Sequence, residues 1–267
     1  MSARTTRECL YRFCQNVVKL YSKKYLRKPN SYDVQQLYQA HEARHGFPGM
    51  LGSIDCMHWA WHNCPTAWHG QYTRGDHGHP TVILEAVASQ DLWIWHSFFG
   101  LPGSLNDLNV SGDEYRRGYY LADGIYLSWS TIVKTIPYPE GEKRKKFAKR
   151  QEAARKDIER AFGVLQKKWA VLQQPARAFT PKRLRLCMYA CILLHNMIIE
   201  DEGRTICEYD ENASYGNTVP VDPAQQDLNS FSLTNDFTHA NLQQDLVEHI
   251  WNNVNIGDGD GDEDEDE

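Results

Sequence analysis

No stretch of eighteen apolar residues occurs in this 267-residue chain, so the sequence pattern of a membrane-spanning helix is missing. The opening MSARTTRECLYRF turns polar too early for the apolar core of a secretory leader, and a soluble intracellular protein is the expectation. The 7 cysteines are odd in number and lack the dense, regular spacing of a disulfide scaffold. Reduced thiols acting as small core residues are expected instead. No internal repeat is visible. Basic residues are nearly absent from Glu200 to Glu267, where Arg204 stands alone against 19 Asp and Glu. A stretch of that composition cannot bury enough apolar surface to fold by itself, so residues 206–267 read as an acidic, largely disordered tail. Within it, Leu242 to Ile250 has the spacing for one or two amphipathic helical turns.

What is present can build a core: 41% of the residues are hydrophobic, with 8 Trp and 14 Tyr. The formal net charge of -6 hides an opposite bias upstream of the tail. Between Lys143 and Arg185 there are 15 Lys or Arg against Glu152, Asp157 and Glu159. Such a patch suits neutralisation of phosphates with release of counterions, and DNA is the partner it implies; a solvated helix face is the plain alternative. Lys145, Lys146, Lys149, Arg150, Arg155 and Lys156 are the candidate DNA contacts. KRKKFAKR, residues 143–150, also fits a nuclear localisation signal, a short pattern with many false matches.

Apolar positions at Leu10, Phe13, Cys14, Val17, Val18 and Tyr21 predict an amphipathic helix over 5–26. Ser31, Asp33, Val34, Leu37 and Tyr38 predict a second, serine-capped one. Residues 1–45 thus form a short helical segment. Past Gly46, Pro48 and Gly49, MLGSIDCMHWAW reads as a strand, and PTVILEAVASQDLWIWHSFF, residues 80–99, as a hairpin turning at Ser89, Gln90 and Asp91. Tyr119 to Tyr126 is a fourth candidate strand. Residues 151–172 are helical, with Ala153, Ile158, Ala161, Phe162, Leu165 and Trp169 as the apolar stripe. Leu184 to Ile199 predicts a buried helix.

Three carboxylates fall at the joints of this pattern: Asp55, Asp123 and, with 35 residues intervening, Glu159. Any one alone reads best as a solvated or capping side chain. Together, three antiparallel strands, a fourth beside the first and a helix crossing the sheet would bring all three acids to one edge. That is the α/β plan of an RNase H-like core, a mixed sheet flanked by helices, here over residues 46–205. Converging carboxylate oxygens suit hard divalent cations, and two such ions about 4 Å apart can clamp both sides of a phosphodiester displacement.

The blocks GFPGMLGSIDCMHWAWHNCP, ILEAVASQDLWIWHSFFGLPGSLNDLNV, YYLADGIY and IERAFGVLQKKW resemble plant transposases and transposase-derived nucleases of the PIF/Harbinger superfamily, over roughly residues 5–205. The resemblance implies a DDE catalytic domain of RNase H-like fold that cuts and joins DNA with a divalent cation, Mg2+ or Mn2+. By position it implies Asp55, Asp123 and Glu159 as catalytic acids and metal ligands, with Asp107 of GSLND as a fourth ligand. Read from its own neighbours, Asp107 fits equally well a turn residue bonded to nearby amides. The resemblance further implies a nuclear protein with a Myb-like DNA-binding partner, and it leaves the oligomeric state and target sequence open. A domesticated, non-catalytic DNA- or chromatin-binding derivative is the alternative. This chain departs from the family in one place: the stretch between Asn109 and Tyr119 is short, and only 19 residues separate Phe99 from Tyr119.

Two other groups have plainer readings. Cys56, His58, His62 and Cys64 share one strand parity and offer the donor types of a zinc site, but their short steps crowd a tetrahedron and favour core cysteines with polar histidines. His195, in LLHNMII, reads as a core histidine.

Overall fold

The computed structural model describes residues 2–75, 78–102, 118–124, 126, 131–209 and 236–253. Two helices open the chain, α1 (Ala3–Tyr25) and α2 (Ser31–His45). The second is capped by Asn30, not Ser31: the Asn30 side chain accepts from the Asp33 amide while the Asp33 carboxylate accepts from the Asn30 amide. Asparagine caps as well as serine does, and the acid three residues on completes the reciprocal pair. Arg27 grips the fully buried Asp33 through both guanidinium nitrogens.

A five-stranded sheet follows, built from β1 (Met50–Ala60), β2 (Thr81–Ala88), β3 (Ile94–Pro102), β4 (Tyr119–Ala122) and β5 (Ile132–Lys134), with the short α3 (His69–Tyr72) between the first two strands. Strand order is β3-β2-β1-β4-β5. β1, β2 and β3 pair antiparallel, whereas β4 runs parallel to both β1 and β5. The fold is therefore α/β with a mixed sheet. The short connection does not prevent β4 from pairing with β1, since residues 103–118 supply the dozen or more that a parallel crossover needs. β5 has no counterpart in the sequence reading, because three residues carry too little alternation to register.

Three helices complete the frame: α4 (Glu142–Lys168), the short α5 (Ala170–Gln173) and α6 (Pro181–Asp201). α4 begins nine residues earlier than its apolar stripe suggested, so KRKKFAKR is helical. The earlier turns are anchored by Phe147 and Gln151, both fully buried; Gln151 donates to the Val133 carbonyl on β5 at 2.9 Å. On one face of the sheet, Met57, Trp59, Leu84 and Ala86 pack against α1, α4 and α6 through Cys14, Val17, Ile158, Leu165, Leu184 and Ile192. Asn196 of α6 ties this layer together, donating to the carbonyls of Tyr25 and Ile94 and accepting from the Ile94 amide.

A last helix, α7 (Asp236–Asn253), is far longer than the one or two turns its sequence suggested. Leu246, Val247 and Ile250 are almost wholly buried in a second cluster with Phe47, Met50, Tyr119, Leu121, Val133 and Phe147. Burying three aliphatic side chains contributes roughly 1.5 to 3 kcal/mol each, so tertiary packing holds a segment whose composition alone would not fold.

Candidate active site

The geometry starts from one register. Ser53 of β1 lies opposite Leu121 of β4 in a parallel pair, and two residues further along each strand stand Asp55 and Asp123. Side chains alternate with period two, so the two acids share one side of the sheet at one level, past the last paired residue of β4. Gly52 makes this possible by letting β1 lie close to β2: a Cβ there would come within 2.6 Å of the Ala88 carbonyl oxygen.

α4 supplies the third acid. Its position across β1 is pinned by the Ser53 hydroxyl, which donates to the Ala154 carbonyl at 3.1 Å. One residue on, Arg155 donates to Asp55 Oδ2 at 3.1 Å and to Glu159 Oε1 at 2.8 Å. A second lock joins α4 to α2, where His45 Nε2 lies 2.8 Å from Asp157 Oδ2. Asp157 also bonds Arg160, and the hydrogen bonds from His45 and Arg160, with the guanidinium charge, hold its carboxyl below the usual range despite burial. The acid-bearing turn is thus fixed from both sides.

The site is electrostatically loaded. Burial pushes the Asp55 carboxyl above its ordinary value, and the negative charges of Glu159 and Asp123 push the same way; the Cys56 amide, which donates to Asp55 at 2.8 Å, and Arg155 oppose them. Asp123 is half-buried and accepts from the Gly124 amide. Glu159 is exposed, beside an open depression of about 430 Å3 lined by Ala153, Lys156, Glu159 and Arg160.

Glu159 and Asp123 thus both lie within electrostatic reach of Asp55. Asp107 lies outside the described residues. Arg155, expected among the DNA contacts, is turned inward onto the acids. Lys145, Lys149 and Lys156 are exposed, whereas Lys146 and Arg150 are half-buried. Sequence reasoning missed the counter-ion role of Arg155, although its spacing of four from Glu159 was the available signal.

Among the described residues, no three His, Cys, Asp or Glu side chains stand ready as ligands of one ion. Around Asp55 the reason is visible, since a guanidinium already bridges two of the carboxylates. The donor set still fits a hard divalent cation: it is all oxygen, anionic and partly desolvated, and Arg155 marks where positive charge is wanted. The Cys56, His58, His62 and Cys64 quartet is not assembled as a metal site either. Cys56 meets the Tyr126 hydroxyl, His58 meets Thr81, and Cys64 is buried. His195 is a core residue with Nε2 2.9 Å from the Leu92 carbonyl oxygen, and burial depresses its pKa to about 4. All seven cysteines are free thiols.

A family described as plant transposon protein matches residues 23–114 and 108–206, most of the chain, and the protein belongs to that family. Among curated proteins it is similar to one from Bos taurus named "Putative nuclease HARBI1", 23% identical over 169 residues, covering 58% of this chain and 47% of that protein. It is also similar to "Protein ALP1-like" of Arabidopsis thaliana, 24% identical over 189 residues, covering 60% of this chain and 46% of that protein. The chain thus spans about half the length of these relatives. No solved structure matches the chain. Among the described residues no helix is long and apolar enough to cross a membrane.

Proposed function

We propose that the chain is a metal-dependent DNA endonuclease of the DDE transposase type, built on an RNase H-like core over residues 46–205. The observation that carries the reading is the placement of Asp55 on β1 and of Asp123 just past the end of β4, its parallel neighbour, with Glu159 of α4 near enough to act on the Asp55 carboxyl. The strand order and the single antiparallel-to-parallel change beside β1 support the fold assignment. The family and a curated relative named as a nuclease support the chemistry.

In this reading Asp55, Asp123 and Glu159, joined by Asp107, would hold Mg2+ or Mn2+. The ions would supply Lewis-acid polarisation of the phosphate and an activated water or 3′ hydroxyl. The chain's own residues do the remaining work. Ser53, Gln151 and the His45–Asp157 bridge hold α4 against the sheet, where a displacement of about 1 Å can cost a hundredfold in rate. Arg155 balances the anionic site through Asp55 and Glu159 and would help bind the phosphate of a substrate there. Lys145, Lys146, Lys149, Arg150 and Lys156 line the approach for the DNA backbone. Work on DNA inside the nucleus, with a Myb-like partner for recognition, belongs to the same proposal.

The second reading, a domesticated DNA- or chromatin-binding protein without catalysis, is favoured by one observation: Arg155 already satisfies Asp55 and Glu159. Nicking of supercoiled plasmid in Mg2+ or Mn2+ separates the two. The nuclease reading expects cleavage by the wild type and none by Asp55→Asn; equal cleavage by both would refute the site, and no cleavage by either would favour the binding protein.

A further inference from the structure

The far end of β1 carries a second cationic surface. From Arg160 to Ile199 the chain holds 7 Lys or Arg and no Asp or Glu. Within that stretch, residues 174–178 run beside the end of β1: the His62 amide donates to the Ala176 carbonyl at 3.0 Å, and Asn63 Nδ2 donates to the Arg177 carbonyl at 2.7 Å. Side chains alternate along this extended segment, so Ala176 and Ala178 are buried while Arg177 and Phe179 face outward together. Phe179 is 65% exposed. The buried Trp61 joins it to a second exposed ring: Trp61 Nε1 donates to the Ala178 carbonyl at 2.7 Å, and its ring centre lies 6.1 Å from that of Trp68, which is 37% exposed. Apolar side chains exposed singly are ordinary, but here two aromatic rings share one support beside an arginine.

The start of α6 adds three exposed cations, Lys182, Arg183 and Arg185. Arg185 is held in place: Nε donates to the Phe99 carbonyl at 3.0 Å, and Gly100 leaves it room, since a Cβ there would come within 2.7 Å of its Nη2. Tyr72, whose ring centre is 6.4 Å from that of Trp68, lies within electrostatic reach of Arg185. The Arg183 guanidinium lies 4.7 Å from the centre of the Tyr11 ring on α1, and Glu8, the one acid of that helix, is paired with Arg12. Asp76, the one acid between β1 and β2, lies outside the described residues. We infer that Trp68, Arg177, Phe179, Lys182, Arg183 and Arg185 form a binding surface for single-stranded nucleic acid. The cations take its phosphates and the exposed rings stack on its unpaired bases, whose faces a duplex hides. The surface begins at Ala60, five residues past Asp55 and about 17 Å along the strand, so it is separate from the acids. It needs neither metal nor cleavage and goes beyond the nuclease reading.

Titration of the full-length protein in EDTA with oligothymidylate, oligouridylate and a DNA duplex of equal length tests this, and the chelator makes the result independent of the metal site. Single strands should quench tryptophan fluorescence and bind more tightly than the duplex. Phe179→Ala should weaken single-strand binding about tenfold at unchanged melting temperature. Trp68→Phe keeps the packing and should remove most of the quenching. Arg177→Gln should lower the salt slope by about 0.7. Equal binding of the two oligomers supports a surface that reads bases and phosphates alone, and tighter binding of one supports the same surface with a contact to the sugar. No binding of single strands, or binding that Phe179→Ala leaves unchanged, would overturn the inference. Duplex binding that falls as far as single-strand binding in Phe179→Ala would overturn it too, because the ring would then not be stacking on bases.

Discussion

Arg155 joins Asp55 of the sheet to Glu159 of its own helix, at 3.1 and 2.8 Å, so one guanidinium neutralises two of the three acids. Asp55 has little other compensation, because its carboxylate is only 21% exposed and otherwise meets the Cys56 amide. Replacement by Arg155→Met leaves that charge unbalanced and is expected to cost about 1 to 2 kcal/mol of stability. A divalent cation can then supply the missing charge. Thermal melting should show Mn2+ raising the midpoint of the variant more than that of the wild type; an equal rise in both would contradict this role for Arg155.

Acid should weaken the fold at a pH well above the carboxylate range. Burial depresses the pKa of both His41 and His195 to about 4, against an ordinary 6.5. The unfolded chain binds protons that these folded-state imidazoles refuse, so their contribution is complete above about pH 6.5 and is lost progressively down to about pH 4. Each is worth on the order of 3 kcal/mol across that window. Asp55 and Asp91, both raised by burial, act with the opposite sign, losing stability as pH rises from 3.8 through their folded values. Urea midpoints should fall from pH 7 to pH 5, and fall less in His195→Gln. A midpoint indifferent to pH would contradict the assignment.

Gly52→Ala tests the close approach of β1 to β2. The added methyl would meet backbone, the Ala88 carbonyl oxygen at 2.6 Å, which cannot swing aside as a side chain does. A loss of about 1 to 3 kcal/mol is expected from the overpacking. Displacement of β1 three residues before Asp55 should also cut any cleavage by up to about a hundredfold. Unchanged stability would mean that the strands have room the structure does not give them.

Much of this was legible in the residues. Strand alternation and aromatic content marked β1, the apolar runs around Ser89, Gln90 and Asp91 marked the hairpin, and GSID and YYLAD placed one acid inside β1 and one at the end of β4. Register is the step that sequence could not supply: it takes Ser53 opposite Leu121 to put Asp55 beside Asp123. The inward turn of Arg155 was hidden for a related reason. On sequence it is one cation among fifteen, and only the packing of Ala154 and Ile158 against the sheet decides which face of α4 it occupies. α7 escaped because its burial depends on Phe47, Tyr119 and Phe147, residues far away in the chain.

Calorimetric titration of Mn2+ into the wild type and into Asp123→Asn tests the central claim, that the strand acids and Glu159 form one cation site. The account predicts saturable binding by the wild type and its loss or strong weakening in the variant at unchanged melting temperature. No binding by the wild type, or identical isotherms for the two proteins, would contradict it.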